Sequence, residues 1–321
     1  MPSPAETGGN NRLYCVQTND GQRFALKTYL AGANDNRDRI GAECAGLAFA
    51  WAHGSRRVPC YVASDLVAGL ALFEWVEGKP VLSPGAADVD AALAFLGELE
   101  AMRRLAGAEA LPEASEACLS AEELCRQITR RRTRLIDSGD ARVVEFLSRP
   151  FPLAWSRFER RARRGYATLG IDFEAEIAAE CRTLSPSDFG FHNALRRPDG
   201  QLVFLDFEYF GWDDPVKLVA DFLLHPGMRL GEPLKRRFRQ GAARIFDGDP
   251  HHEARLQLLR PLYGLRWCLI LLNAFLPERW QRQAYAQGDA VREEIQARQL
   301  AKAEAMLAQV TETEGVLIHD T

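Results

Sequence analysis

The sequence predicts an α+β fold in two unequal parts: a strand-rich stretch of about eighty residues holding one helix, then a longer, mostly helical remainder. Three observations carry this reading. Short apolar runs with two-residue alternation and turn residues between them fill the first part. From residue 86 onward the apolar residues recur at helical spacing, as in Leu93, Phe95, Leu96, Leu99 and Met102. Within that helical part, Leu184 to Phe210 is the one return to strand-like sequence.

The elements follow in order. Leu13–Gln17 is a short strand, Thr18-Asn19-Asp20-Gly21 has hairpin turn chemistry, and Arg23–Tyr29 alternates as the second hairpin strand. A helix opening at Asn34 to Asn36 runs through Glu43 towards Ala52. Pro59–Val62 and Leu70–Glu74 are two further strands, and Val76 to Pro80 breaks the pattern as a linker. Helices are expected over Ala86–Leu105, after the capping-box sequence Ser120-Ala121-Glu122-Glu123, and over Leu218–Leu224, Leu234–Phe246, Arg255–Phe275 and Gln281–Leu307.

Composition bounds the function. The 321 residues suit about two domains at roughly 150 residues each. With 47% hydrophobic and 26% charged residues, the chain is neither a disordered tail, a fibre nor a disulfide miniprotein. A net charge of −4 gives no global reason to expect a nucleic-acid partner. No segment approaches the ~20 apolar residues of a spanning helix, so no membrane partner is expected. Residues 1–7 lack a basic-then-apolar leader pattern, and the seven scattered cysteines have no Cys-x-x-Cys spacing. Reduced, mostly packed thiols in a cytoplasmic protein are the expectation. Residues 126–164 hold twelve Arg against four acids, which reads either as solvated helix faces or as a polyanion-binding patch.

The chemistry concentrates in Leu184-Ser185-Pro186-Ser187-Asp188-Phe189-Gly190-Phe191-His192-Asn193 and in Gln201–Glu208, joined by the turn Arg197-Pro198-Asp199-Gly200. A four-residue turn at Pro198–Gln201 sets Asn193 opposite Asp206, within one residue of register. Two oxygen-bearing side chains then meet at the open end of a hairpin, with Asp188 on the loop before it. That arrangement suits a hard divalent cation beside a carboxylate able to take a proton.

On these residues the chain resembles the kinase-like phosphotransferases, in particular the aminoglycoside phosphotransferase and choline kinase branch. Asp188-x-x-x-x-Asn193 followed by Leu205-Asp206-Phe207-Glu208 resembles that family's catalytic loop and metal-binding segment. Thr7–Arg12 sits where the family has its nucleotide-covering loop, Ala25-Leu26-Lys27 where it has its phosphate-binding lysine, and Arg39-x-x-x-Glu43 where it has the helix whose Glu pairs with that lysine. Phe73–Gly78 resembles its interlobe hinge, and Gly211–Pro215 continues the match.

The resemblance implies a two-lobe protein kinase-like fold, with a nucleotide-binding lobe over 1–78 (hinge about 74–78) and a helical lobe with catalytic loop and acceptor-binding helices over 79–321. It implies transfer of the γ-phosphate of ATP, with GTP open as an alternative, to a hydroxyl of a small metabolite. Asp188 would take the acceptor proton, and Asn193 and Asp206 would hold Mg²⁺. Lys27, steadied by Glu43, would contact the α and β phosphates. Backbone amides of Gly8, Gly9, Asn10 and Asn11 would cover them, and the Glu74 carbonyl and Val76 amide would meet the base.

Glu208, Tyr209, Trp212, Asp213 and Asp214 either face the acceptor or pack and cap. Arg260, Tyr263, Arg266 and Trp267 share one helix face, as pocket lining or core stripe. The chain departs from the family at Pro186, where a His is usual, at Ser187, where Gly is common, and at Lys217, where Asp is common, with Asp221 one turn later. Which of Lys217 and Asp221 anchors the catalytic loop stays open, as does the alternative of a nucleotide-binding pseudokinase. Acceptor identity and oligomeric state are not legible.

Overall fold

A computed structural model of the chain describes residues 3–7, 11–29, 37–228, 230–277, 280 and 289–319. The chain falls into two compact units. One comprises residues 1–117, 178–223 and 227–249; the other comprises 118–177, 224–226 and 250–321.

The first unit is built on a five-stranded antiparallel sheet. Its strands are β1 (Ser3–Thr7), β2 (Asn11–Gln17), β3 (Arg23–Tyr29), β4 (Tyr61–Asp65) and β5 (Leu70–Glu74), in the order β1-β2-β3-β5-β4. The turn chemistry at 18–21 works as expected: the Thr18 and Gly21 amides donate to Gln22 O and Thr18 O, and Gly21 takes φ +89°, which needs no side chain. β3 and β5 match their expected bounds. β4 begins at Tyr61, two residues later than expected, behind Pro59, which has no amide hydrogen for a ladder.

Helix α1 (Arg39–Ala52) starts where Asp38 caps it, its side chain accepting from the Gly41 amide at 2.8 Å. The expected opening at 34–36 lies outside the described residues. Residues 39, 42, 43, 46, 47 and 50 bury one face of this helix, the spacing that brings Glu43 inward. The segment read as a linker ends in a short strand, β6 (Lys79–Pro80), paired with β8 (Ala194–Arg196).

Helix α2 (Ala86–Met102) packs against α7 (Glu232–Ile245) and against β7 (Thr183–Ser185) and β9 (Leu202–Phe204). Phe95 of α2 stacks on Phe204 with ring centroids 4.9 Å apart, and Phe189, Phe207 and Phe222 extend the cluster. β10 (Gly211–Asp213) pairs with β7, and α6 (Pro215–Leu224) follows it directly.

The second unit holds α3 (Ala121–Asp137), α4 (Ala141–Ser148), α5 (Pro150–Leu169), α8 (His252–Leu271) and α9 (Asp289–His319). Ser120 caps α3 as expected, accepting from the Glu123 amide at 3.1 Å. Glycines bring helices close here: a Cβ on Gly165 would meet Leu258 and one on Gly264 would meet Val310, each at 2.4 Å. Arg130 and Arg163 of the Arg-rich stretch pair with Glu123, Glu122 and Glu159, and Arg142 pairs with Asp140 and Glu293, the pattern of solvated helix faces. Tyr263, Arg266 and Trp267 of α8 are buried and Arg260 is partly buried. Among the described residues no helix is long and apolar enough to cross a membrane.

Candidate active site

The site grows out of β3 and α1. Strand alternation puts Lys27 and Tyr29 on one face of β3, and the inward face of α1 puts Glu43 against both. Lys27 Nζ donates to Glu43 Oε2 at 2.6 Å and to Asp206 Oδ1 at 2.5 Å, with Glu208 Oε2 at 3.9 Å. Tyr29 OH donates to the same Glu43 oxygen at 2.5 Å, and the Phe207 amide reaches Glu43 Oε1 at 3.3 Å. Glu43 therefore ties the sheet, through Lys27 and Tyr29, to the Asp206–Glu208 segment. Lys27, Glu43 and Glu208 are only 6%, 3% and 2% exposed, so each charge depends on its partners.

Burial alone would push the Lys27 ammonium down, but Glu43, Asp206 and Glu208 outweigh it and hold the proton more firmly than usual. Burial pushes the Asp206 carboxyl up to about 6; Lys27 pulls it back, while Glu43 and Glu208 add to the rise. Burial beside Glu43 raises Tyr29, and burial beside Glu208 raises Tyr209.

The hairpin supplies the other half. Ala194 pairs with Phe204, Leu195 with Val203 and Arg196 with Leu202, and the Leu205 amide donates to Asn193 O at 2.8 Å. The connection is a three-residue loop closed by Arg197 and Gln201, with Gly200 at φ +89°, not the four-residue turn expected. Asn193 thus lies opposite Leu205, one residue short of Asp206. A glycine in the left-handed region completes the turn one residue earlier than Gln201 would.

Asn193 Nδ2 donates to the Asp188 backbone oxygen at 2.9 Å and to Asp188 Oδ2 at 3.3 Å. His192 Nε2 lies 3.0 Å from Asp188 Oδ1. With its amide nitrogen turned to Asp188, Asn193 presents a carbonyl oxygen as its acceptor atom. That oxygen and the Asp206 carboxylate are hard oxygen donors of the kind Mg²⁺ takes, so this donor set fits that ion.

Other expected residues sit as follows. Asn11 uses its side chain, donating from Nδ2 to Glu208 Oε2 at 3.1 Å; Gly8, Gly9 and Asn10 lie outside the described residues, between the paired ends Thr7 and Arg12 of β1 and β2. Glu74 ends β5 with its carboxylate on Arg197 Nη2 at 2.8 Å and on the Cys60 amide at 3.2 Å, and Val76 is buried. Trp212 donates to Ala108 O, Asp213 pairs with Lys217, and Asp214 caps α6 through the Val216 amide, so these three pack and cap.

Of the two residues left open as loop anchors, Lys217 donates to Ser187 Oγ at 2.9 Å and pairs with Asp213 at 2.9 Å and with the other, Asp221, at 3.3 Å. Ser187 takes φ +66°, a conformation costing roughly 1 kcal/mol for a non-glycine residue. A hydrogen bond to a charged donor, worth about 1.5–3 kcal/mol, offsets it. The contacts of Tyr29 with Glu43 and of His192 with Asp188 have little signal in the sequence. Tyr29 shares the strand face of Lys27, and His192 stands four residues after Asp188, and those spacings were the only signals.

A model of the phosphotransferase enzyme family matches residues 3–258. The chain belongs to this family. Among solved structures, this phosphotransferase is similar to choline kinase from Cryptosporidium parvum Iowa II, at 11% identity and TM-score 0.62, over 98% of this chain and 90% of that one. It is also similar to choline kinase LicA from Streptococcus pneumoniae, at 17% identity and TM-score 0.59, over 95% and 92% of the two chains. A spectinomycin phosphotransferase solved with ADP and spectinomycin matches at 9% identity and TM-score 0.60, over 95% and 92%. No curated protein matches the chain by sequence. The phosphotransferase therefore has the kinase-like fold, its small antiparallel sheet and α1 preceding a mostly helical remainder.

Proposed function

We propose that this phosphotransferase moves the γ-phosphate of ATP onto a hydroxyl of a small metabolite: an amino alcohol, a sugar or an aminoglycoside-like acceptor. The observation that carries the reading is the meeting of two halves: Asp188 bonded to Asn193 at the mouth of the hairpin, and Asp206 at its other side held 2.5 Å from Lys27.

In this reading Asp188 accepts the acceptor's hydroxyl proton at its carboxylate while that oxygen forms the new bond to the γ-phosphorus and the bridging oxygen leaves with ADP. His192, on Asp188 Oδ1, orients the carboxylate. Asn193 and Asp206 would hold Mg²⁺, which when bound neutralises charge on the phosphates. Lys27, kept charged by its carboxylate neighbours, contacts the α and β phosphates, and Glu43 fixes its position. The Gly8–Asn11 segment covers the phosphates, and the Glu74 carbonyl and Val76 amide meet the base, with GTP as the alternative nucleotide. Residues 1–78 act as the nucleotide lobe and 79–321 as the helical lobe. The seven cysteines, all free thiols, favour the cytoplasm.

The test is ADP release from MgATP over a panel of small hydroxylated metabolites, with Asp188→Asn as control. The reading expects turnover in the wild type and its loss in Asp188→Asn, with MgADP binding retained. Nucleotide binding without turnover on any acceptor would instead favour a pseudokinase.

A further inference from the structure

Lys217 is 1% exposed, and the roles drawn above do not use it. Its ammonium carries three donors, and Asp213, Asp221 and Ser187 present acceptors to it at 2.9, 3.3 and 2.9 Å. Asp213 and Asp221 are also buried, at 0% and 7% exposure. Positions 213, 217 and 221 recur every four residues, which brings them to one side of α6 and the strand end before it. Ser187 immediately precedes Asp188, and its backbone stands in the left-handed region at φ +66°. A second bond acts on the same residue: the Ser187 amide donates to Ser185 Oγ at 3.0 Å.

We propose that Lys217 is the positioning residue of the catalytic loop: its hydrogen bond to Ser187 Oγ holds a serine in the left-handed conformation and so aims Asp188. This rests on the reading of Asp188 as proton acceptor. Glycine takes that conformation without a steric penalty, whereas serine has a Cβ that opposes it. A fixed charge behind the serine supplies the holding force, and Asp213 and Asp221 keep that charge in place. Because the bond ends on a side chain next to Asp188, its loss displaces the carboxylate without touching Lys27, Glu43 or Asp206.

Lys217→Met would strip two buried carboxylates of their cation and disturb the fold, so the test uses Ser187. Ser187→Ala removes the acceptor oxygen and keeps the Cβ; Ser187→Gly removes both. The full-length chain is assayed for ADP release from MgATP with water as acceptor, and kcat and KM are separated. The proposal expects Ser187→Ala to lose about tenfold or more in kcat, with KM for MgATP within about twofold of wild type, and Ser187→Gly to recover at least part of that loss. A wild-type kcat in Ser187→Ala, or no recovery in Ser187→Gly, overturns it. If the wild-type chain releases no ADP on any acceptor, it is the functional reading that fails, and hydrogen exchange over residues 186–190 then decides the anchor. Faster exchange in Ser187→Ala than in wild type supports it, and unchanged exchange overturns it.

Discussion

Lys27 and Glu43 meet at 2.6 Å with both side chains almost closed to solvent, and they join the third strand of the sheet to the first helix. Sixteen residues separate them in the chain. Asp206, which shares the lysine, comes from 179 residues further on.

Removing the cation from this cluster leaves Glu43, Asp206 and Glu208 facing one another. Lys27→Met is expected to cost about 3–5 kcal/mol of stability, the usual result of stranding a buried charge, and to abolish nucleotide binding. Glu43→Gln keeps the shape and one acceptor oxygen and is expected to cost less, about 1–3 kcal/mol. Urea unfolding of the two variants beside the wild type checks the order. A Glu43→Gln loss as large as that of Lys27→Met would contradict it.

Asn11 and Glu208 join β2 to the turn that follows β9 by a bond of 3.1 Å. Asn11→Ala withdraws a donor from a carboxylate that is only 2% exposed, and about 1–3 kcal/mol of stability is expected to go with it. Asn11→Asp, which sets a second carboxylate against Glu208, is expected to be worse than Asn11→Ala. Thermal melts of the pair read out the difference.

Gly46 lies on the buried face of α1, where an added Cβ would come 2.4 Å from Phe210 Cδ1. Gly46→Ala is expected to destabilise by about 1–3 kcal/mol through overpacking, although alanine is the better helix former by about 1 kcal/mol. Gly97 on α2 has open space around its Cβ position, so Gly97→Ala is the control and should be neutral or stabilising. Denaturation midpoints decide between crowding and propensity.

Alkaline pH should weaken the fold. Burial pushes the thiols of Cys44, Cys125 and Cys268 up to about 11, about 12 and about 12, and raises Tyr29 and Tyr209 as well. Above pH 9, the ordinary thiol value, the unfolded chain gives up these protons before the folded one does. The folded state then binds more protons, and its stability falls as pH rises. Lys27, raised from 10.5, adds to the same trend above that pH. Melting temperatures at pH 8, 9.5 and 10.5 should decline in that order, and a flat profile would refute the assignment. In the native protein at pH 8, peptide mapping after iodoacetamide should find these three cysteines slower to react than Cys15, which is only partly buried.

The sequence by itself determined many of the elements and the order of the site, but not β1, nor β6 at the end of the segment read as a linker. Strand alternation, turn glycines and helix caps are local, so β3, β5, the cap at Ser120 and the hairpin into Asp206 are legible from neighbouring residues. Even the hairpin register was legible to within one residue, the error arising from Gly200, whose positive φ shortens the loop. Only the tertiary structure decided what each polar side chain holds. Asn11 on Glu208, Tyr29 on Glu43, Arg197 on Glu74 and Lys217 on Ser187 span from 14 to 197 residues. No local pattern specifies such pairs. They form because a charge or amide carried into the interior must find a partner there, and the packing of Phe95, Phe204 and their neighbours settles which partner lies within reach.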